Sequence, residues 1–224
     1  MIMKNKMVSF GLCLVLICAL SACWWGSPGR EQLVNTFTGS LSGIKNIRLD
    51  YAVGGIKLLP ARNDEILVME YATNSYRPEM FARLEVEGDT LVVRQGSLRN
   101  VNNVSITVEV YLPLTFSGSL ELDAAVGMLS IQDAFAFSSL DVEIDVGDIN
   151  IAKIAPDSLV IAVDVGDITW EVPKGYEFTY DISIELGEVD SSLVSRGRGQ
   201  VGDNPTAQVE ISVEVGALEV TQGR

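Results

Sequence analysis

The sequence predicts an all-β fold made of a repeated strand–glycine–strand unit, and three observations predict it. Short runs rich in Val, Ile, Leu, Phe and Tyr alternate with polar residues and are separated by Gly, Pro, Asn and Asp. No stretch of helical length sustains a 3.6-residue apolar period. A Val-Gly-Asp-Ile-like unit recurs along the second half of the chain at a spacing near 20 residues.

The chain opens with a different kind of segment. Lys4 and Lys6 precede an apolar run from Met7 to Leu20, which ends in Leu20-Ser21-Ala22-Cys23. A charged start, an apolar middle and small residues at the end are the order of a secretory leader. A bilayer-spanning helix needs about 20 apolar residues, and this run is shorter. Its last four residues resemble the bacterial lipobox, which implies cleavage before Cys23 and acylation of the Cys23 thiol with diacylglycerol. Residues 1–22 are therefore read as a lipoprotein signal peptide, 23–43 as the lipidated cysteine with a tether, and 44–224 as a β-repeat domain. More than one acyl chain anchors stably, so the bilayer is an expected partner through Cys23. Trp24 follows the cysteine in place of the aspartate that favours inner-membrane retention in many Gram-negative bacteria; this points to the outer membrane if such sorting applies.

Cys13, Cys18 and Cys23 all lie in the leader or at its cut, and the chain has no histidine. The mature body thus has no internal disulfide, no Cys/His zinc site and no Ser-His-Asp or Cys-His centre. Removal of residues 1–22, which carry two lysines and no acid, leaves 202 residues with 14 bases and 30 acids, a net charge of −16. That surface repels nucleic acid and bare anionic lipid. The apolar content, 47% over the whole chain, is too high for wholesale disorder.

Within the body, strands are expected at residues 44–51, 56–59, 66–71, 81–86, 91–93 and 104–112, with Glu87-Gly88-Asp89-Thr90 as a hairpin connection. The repeats follow. Their central glycines are Gly127, Gly147, Gly166 and Gly187, at spacings of 20, 19 and 21, and then Gly216 after 29, with Ser195 to Pro205 as a polar insertion. Tyr51-Ala52-Val53-Gly54-Gly55-Ile56 is an early relative. In one unit Val142, Ile144 and Val146 share a face, yet Ile149 and Ile151 follow after an odd step. A flat strand would place them on opposite faces. A corner at Gly147-Asp148 lets both arms aim inward, and glycine tolerates the backbone conformation of such a corner. The pattern is read as a β-solenoid, β-helix or β-prism-like, whose stacked coils complete one another's core. The alternative left open is a twisted antiparallel β-sandwich whose hairpins share a turn sequence.

Acids flank the corners: Asp145 and Asp148, Asp164 and Asp167, Glu185 and Glu188. In a register stack, like charges lie about 5 Å apart. Oxygen ligands suit Ca²⁺, so these six are the candidate calcium ligands. Solvated acidic corners without a cofactor are the simpler reading, since no EF-hand or GGxGxD signature accompanies them and Met128 and Ala217 break the row. The same acids imitate a glycosidase pair, with Trp170, Tyr176 and Tyr180 as a sugar platform. Their repetition argues against a single active centre, and Trp170 falls in the inward register of Ile168.

Val146-Gly147-Asp148-Ile149, Val165-Gly166-Asp167-Ile168 and Leu186-Gly187-Glu188-Val189 resemble the bacterial putative-adhesin families, in particular the DUF4097-type β-repeat domain. The likeness is strongest over about residues 117–224, is expected to begin near Ile44, and carries no family catalytic residue. It implies a non-enzymatic structural or adhesin-like module in the cell envelope, whose partner is an envelope protein, a polysaccharide or a host surface. The competing expectations are a carboxylate-dependent glycan-processing enzyme and an envelope-stress accessory protein. The final strand, Leu218 to Val220, is expected to leave an open β-edge.

Overall fold

In the computed structural model, the described residues are 31–73, 77–98 and 104–223, and they form an all-β body. In chain order the strands are β1 (Gln32–Ser40), β2 (Asn46–Pro60), β3 (Glu65–Ala72), β4 (Arg83–Glu87), β5 (Thr90–Arg94), β6 (Ile106–Leu112) and β7 (Ser119–Ile131). They continue with β8 (Ser139–Ala152), β9 (Ser158–Val165), β10 (Ile168–Val172), β11 (Phe178–Ser191), β12 (Gly197–Val201) and β13 (Ala207–Gln222). Among the described residues the sole helical piece is a 3-10 turn at Pro78–Met80.

The repeat units pair in parallel and in register, which is not the pairing of a sandwich of hairpins. Strand β7 runs beside β8 from Ser119↔Ser139 to Ile131↔Ile151. Strand β2 runs beside β7 through Gly54↔Gly127, so the early relative joins the same ladder. Each long strand bends at its glycine into two arms. In β8, Leu140, Val142 and Ile144 of the first arm and Ile149 and Ile151 of the second are all buried, while Asp141, Glu143, Asp145, Asp148 and Asn150 are exposed. Return segments connect the long strands. They stack by backbone bonds such as Ala136 N to Leu114 O at 3.1 Å and Ser138 N to Gly118 O at 3.1 Å. They deliver Phe116, Phe135, Phe137 and Ile154 to the core, where Phe135 and Phe137 stack at 5.2 Å.

Three findings differ from the sequence reading. Strand β1 occupies residues within the expected tether and pairs antiparallel with β3. Its Phe37 reaches the core, and Gly39 leaves room for Leu84; one apolar residue per turn of alternation is too little signal to read locally. Secondly, the expected strands at 44–51 and 56–59 are one bent strand, β2. Thirdly, the repeats do not stack in chain order. Strand β13 lies between β10 and β11 for its second arm and between β9 and β11 for its first. The hairpin partner β12 accounts for this. It folds back antiparallel on the outer side of β11, Phe178↔Val201, and the chain then re-enters on the inner side. Leu218–Val220 is therefore an inner strand segment, not an open edge, and β11 with β12 forms that end of the sheet.

The other end is closed by antiparallel strands. The first arm of β2 is continued by β5 and then β4, and its second arm by β6, β3 and β1. Gln95 bridges the corner there, accepting from Val53 N at 3.1 Å and donating to Val53 O at 2.8 Å, as a strand backbone would.

Candidate functional site

The expected lipidation residue, Cys23, and the expected signal peptide lie outside the described residues. Among those described, no helix is long and apolar enough to cross a membrane.

The corner glycines form one column in the order Gly54, Gly127, Gly147, Gly166, Gly216, Gly187. Gly147 has φ +152°, and a Cβ there would sit 1.6 Å from the carbonyl oxygen of Gly127. Gly216 repeats this against Gly166 O at 1.8 Å, with φ +153°. Neighbouring corners thus touch backbone to backbone, leaving no room for a side chain.

The corner acids divide into two groups. Asp148 and Asp167 serve the backbone at the one corner where the strand is interrupted, between β9 and β10. Asp148 Oδ1 accepts from Asp167 N at 3.1 Å, and Asp167 Oδ1 accepts from Ala217 N at 2.8 Å. A carboxylate here replaces ladder bonds lost at the break. Asp145, Asp164, Glu185 and Glu188 instead lie on the exterior, all exposed or partly exposed. Partial burial, then the charges of Asp164 and Asp123, push the Asp145 carboxyl above the ordinary carboxylate range. Burial and Glu121 do the same to Asp141. Among the described residues, no three His, Cys, Asp or Glu side chains gather in a group that could hold a metal ion.

The sugar platform expected from Trp170, Tyr176 and Tyr180 is not a surface. Trp170 is 0% exposed and packs on Phe178 at 5.2 Å and on Tyr176 at 6.3 Å. Tyr176 donates its hydroxyl to Pro156 O, and its phenol is pushed up to about 12, mainly by burial and then by the Asp157 charge. Tyr180 packs beside Phe178 and over Gly199. Apolar closure of the β11–β12 end draws Trp170 and Tyr176 inward, while Tyr180 stays half-exposed at the surface. An open groove over β9, β11, β12 and β13 holds Asp181 and Glu210, which are register neighbours. Asp181 is ion-paired to Arg198 at 2.7 Å, and both acids belong to the outward row that also holds Glu121 and Asp141.

Two features were not read from the sequence. Glu70 is a buried carboxylate that accepts from Asn35 Nδ2 at 2.7 Å and from Ala82 N at 2.9 Å, tying β1 and the approach to β4 onto β3. Its acidic position in the inward phase between Val68 and Ala72 was the available signal. The second is a grid of outward side chains on the second-arm face at the β1 end. Tyr71 and Met69 of β3 lie opposite Thr107 and Glu109 of β6, and Leu67 lies opposite Tyr111. Across the next pairing, Glu109 meets Lys57 and Tyr111 meets Leu59 of β2. Tyr111 donates its hydroxyl to Glu109 Oε2 at 2.9 Å. Both phenols sit above their ordinary pKa: Tyr111 chiefly through that hydrogen bond, Tyr71 chiefly through burial.

Charge divides along the chain. Residues 30–112 carry nine bases and ten acids, whereas residues 113–224 carry five and twenty.

The fold is similar to those of several solved bacterial structures. A putative cell adhesion protein from Clostridium sporogenes superposes with a TM-score of 0.71 at 15% identity, over 87% of this chain and 100% of that one. At that identity the likeness is one of fold. A putative adhesin from Bacteroides fragilis matches with a TM-score of 0.38 at 15% identity, over 87% and 100% of the two chains. One from Parabacteroides distasonis gives 0.36 at 10% identity, over 85% and 97%. No family model matches the chain. No curated protein matches it.

Proposed function

We propose that the protein is a cell-envelope lipoprotein, acylated at Cys23, whose β-solenoid body is a structural or adhesin-like interaction module. The observation that carries this reading is the in-register parallel ladder from β2 to β11, closed at both ends by antiparallel strands. Such a body presents long, rigid exterior faces and encloses a packed core. Its likeness in fold to the Clostridium sporogenes protein supports the same role. The Val-Gly-Asp-Ile repeats support placing it with the DUF4097-type domains. Its expected partners are an envelope protein, a polysaccharide or a host surface, and the outer membrane is its expected site in a Gram-negative cell.

A glycan-processing enzyme is the less favoured reading. Trp170 is in the core, and the groove carboxylates Asp181 and Glu210 continue a repeated row, with Asp181 held by Arg198. Proximity labelling and crosslinking from native envelopes tests the proposal, with Cys23→Ala as the mislocalised control. A specific partner lost with Cys23→Ala is the expected outcome. Recovery of a defined glycan's cleavage products, with no enriched protein, overturns the module reading in favour of the enzyme.

A further inference from the structure

The exterior of the second-arm face changes character along the sheet. From β8 to β11 its strands carry Asp148, Asp167, Glu171, Glu188, Asp190 and Glu219, with Arg196 reaching Gly187 O at the edge. At the β1 end the same face carries Leu33, Leu59, Leu67, Met69, Tyr71 and Tyr111, all half-buried or exposed, with Leu33 at 49%. The charged residues on these outward rows are Glu109, hydrogen-bonded by Tyr111, its cross-strand neighbour Lys57, and Glu65 at the far end of β3 from the chain entry. Four adjacent strands and five residues along each make this patch about 14 by 13 Å. Among its aliphatic side chains, Tyr71 and Tyr111 present apolar rings that end in hydroxyls, the arrangement that suits a bilayer interface.

We propose that this patch of β1, β3, β6 and β2 lies against the lipid surface, so that the acidic repeats project away from it. The inference rests on the anchoring reading above. Three observations select lipid over another occupant. Cys23 precedes Glu31 by eight residues, a reach of about 29 Å at most. Glu31 accepts from Ser105 Oγ at 2.7 Å, and Gln32 pairs with Ala72, so the chain enters the fold at the edge of the patch beside Tyr71. The charge division then fixes the orientation. Residues 30–112 are nearly neutral, while the acidic second half is repelled by anionic headgroups. The patch also faces outward in every strand, so it is no part of the core.

The mature chain has no thiol besides Cys23, which acylation consumes, so one introduced cysteine carries a unique label. The full-length chain is expressed with its leader, and acylation of Cys23 is verified by mass spectrometry. It is then reconstituted in phosphatidylethanolamine–phosphatidylglycerol vesicles that contain nitroxide-bearing lipid. Thr107→Cys lies within the patch, and Thr169→Cys lies on the same face among the acidic strands. Each is labelled with an environment-sensitive fluorophore. The expected result is several-fold stronger quenching at 107 than at 169, abolished by Leu67→Asp with Met69→Asp. Equal quenching at both positions on an acylated chain overturns this orientation and leaves the anchoring intact. An unacylated Cys23 overturns the anchoring itself. Energy transfer between copies at 107 without lipid quenching overturns lipid as the occupant and assigns the patch to a second copy of the chain.

Discussion

Replacing Gly147 with alanine tests the corner column most directly. At φ +152° an alanine occupies a conformation that side chains rarely adopt, at a cost of about 1–3 kcal/mol. Its Cβ would also lie 1.6 Å from Gly127 O. That contact is relieved only by parting β7 from β8 at the corner, which forfeits one or two flanking ladder bonds at about 1 kcal/mol each. The expected loss is therefore about 2–5 kcal/mol. Gly43→Ala is the matched control: its φ is +79°, and nothing lies within 4 Å of the added atom. Left-handed strain alone then costs about 1–2 kcal/mol. Urea unfolding of the leaderless body, followed by far-ultraviolet circular dichroism, measures both. A Gly147→Ala loss no greater than that of Gly43→Ala refutes the close backbone approach as the reason for the column.

Other outcomes follow from the same geometry. Asp167→Ala should destabilise by about 0.5–1.5 kcal/mol through loss of the acceptor for Ala217 N, and Asp167→Asn, which keeps an acceptor, should recover most of it in the same urea assay. Because Asp148 and Asp167 already accept from the backbone, excess calcium or its removal with EDTA should leave the thermal midpoint unchanged, and a calcium-dependent rise would contradict this. Tyr176 holds its proton in the folded state up to about 12, while the unfolded phenol releases it near 10. Its contribution is thus fully present below pH 10 and is lost as pH rises through 12; Tyr176→Phe should flatten that alkaline decline. The Asp145 carboxyl is raised, so folding takes up a proton as pH falls and repulsion is relieved. Asp145→Asn should therefore stabilise at neutral pH, and the gain should vanish below the ordinary carboxylate range, read as converging urea midpoints.

The sequence by itself determined what repeats locally. Alternation and the odd step across Gly147 are period-two signals, and they specify strand, corner and inward face without reference to a neighbour. They are enough for an all-β body and for burial of Val142, Ile149 and Trp170. The tertiary structure decided everything that depends on which strand lies beside which. Five repeats of nearly the same pattern fit next to one another in several orders, because each offers the same apolar face and the same glycine. The order was set by the β12 fold-back, which sends β13 inside β11 and protects Leu218–Val220. Strand β1 was hidden for the related reason that its few apolar residues gain meaning only against β3 and Leu84. The outward grid around Tyr71, Glu109 and Tyr111 was equally hidden. Its members come from three strands as distant in sequence as Leu59 and Tyr111, and only cross-strand register places them side by side.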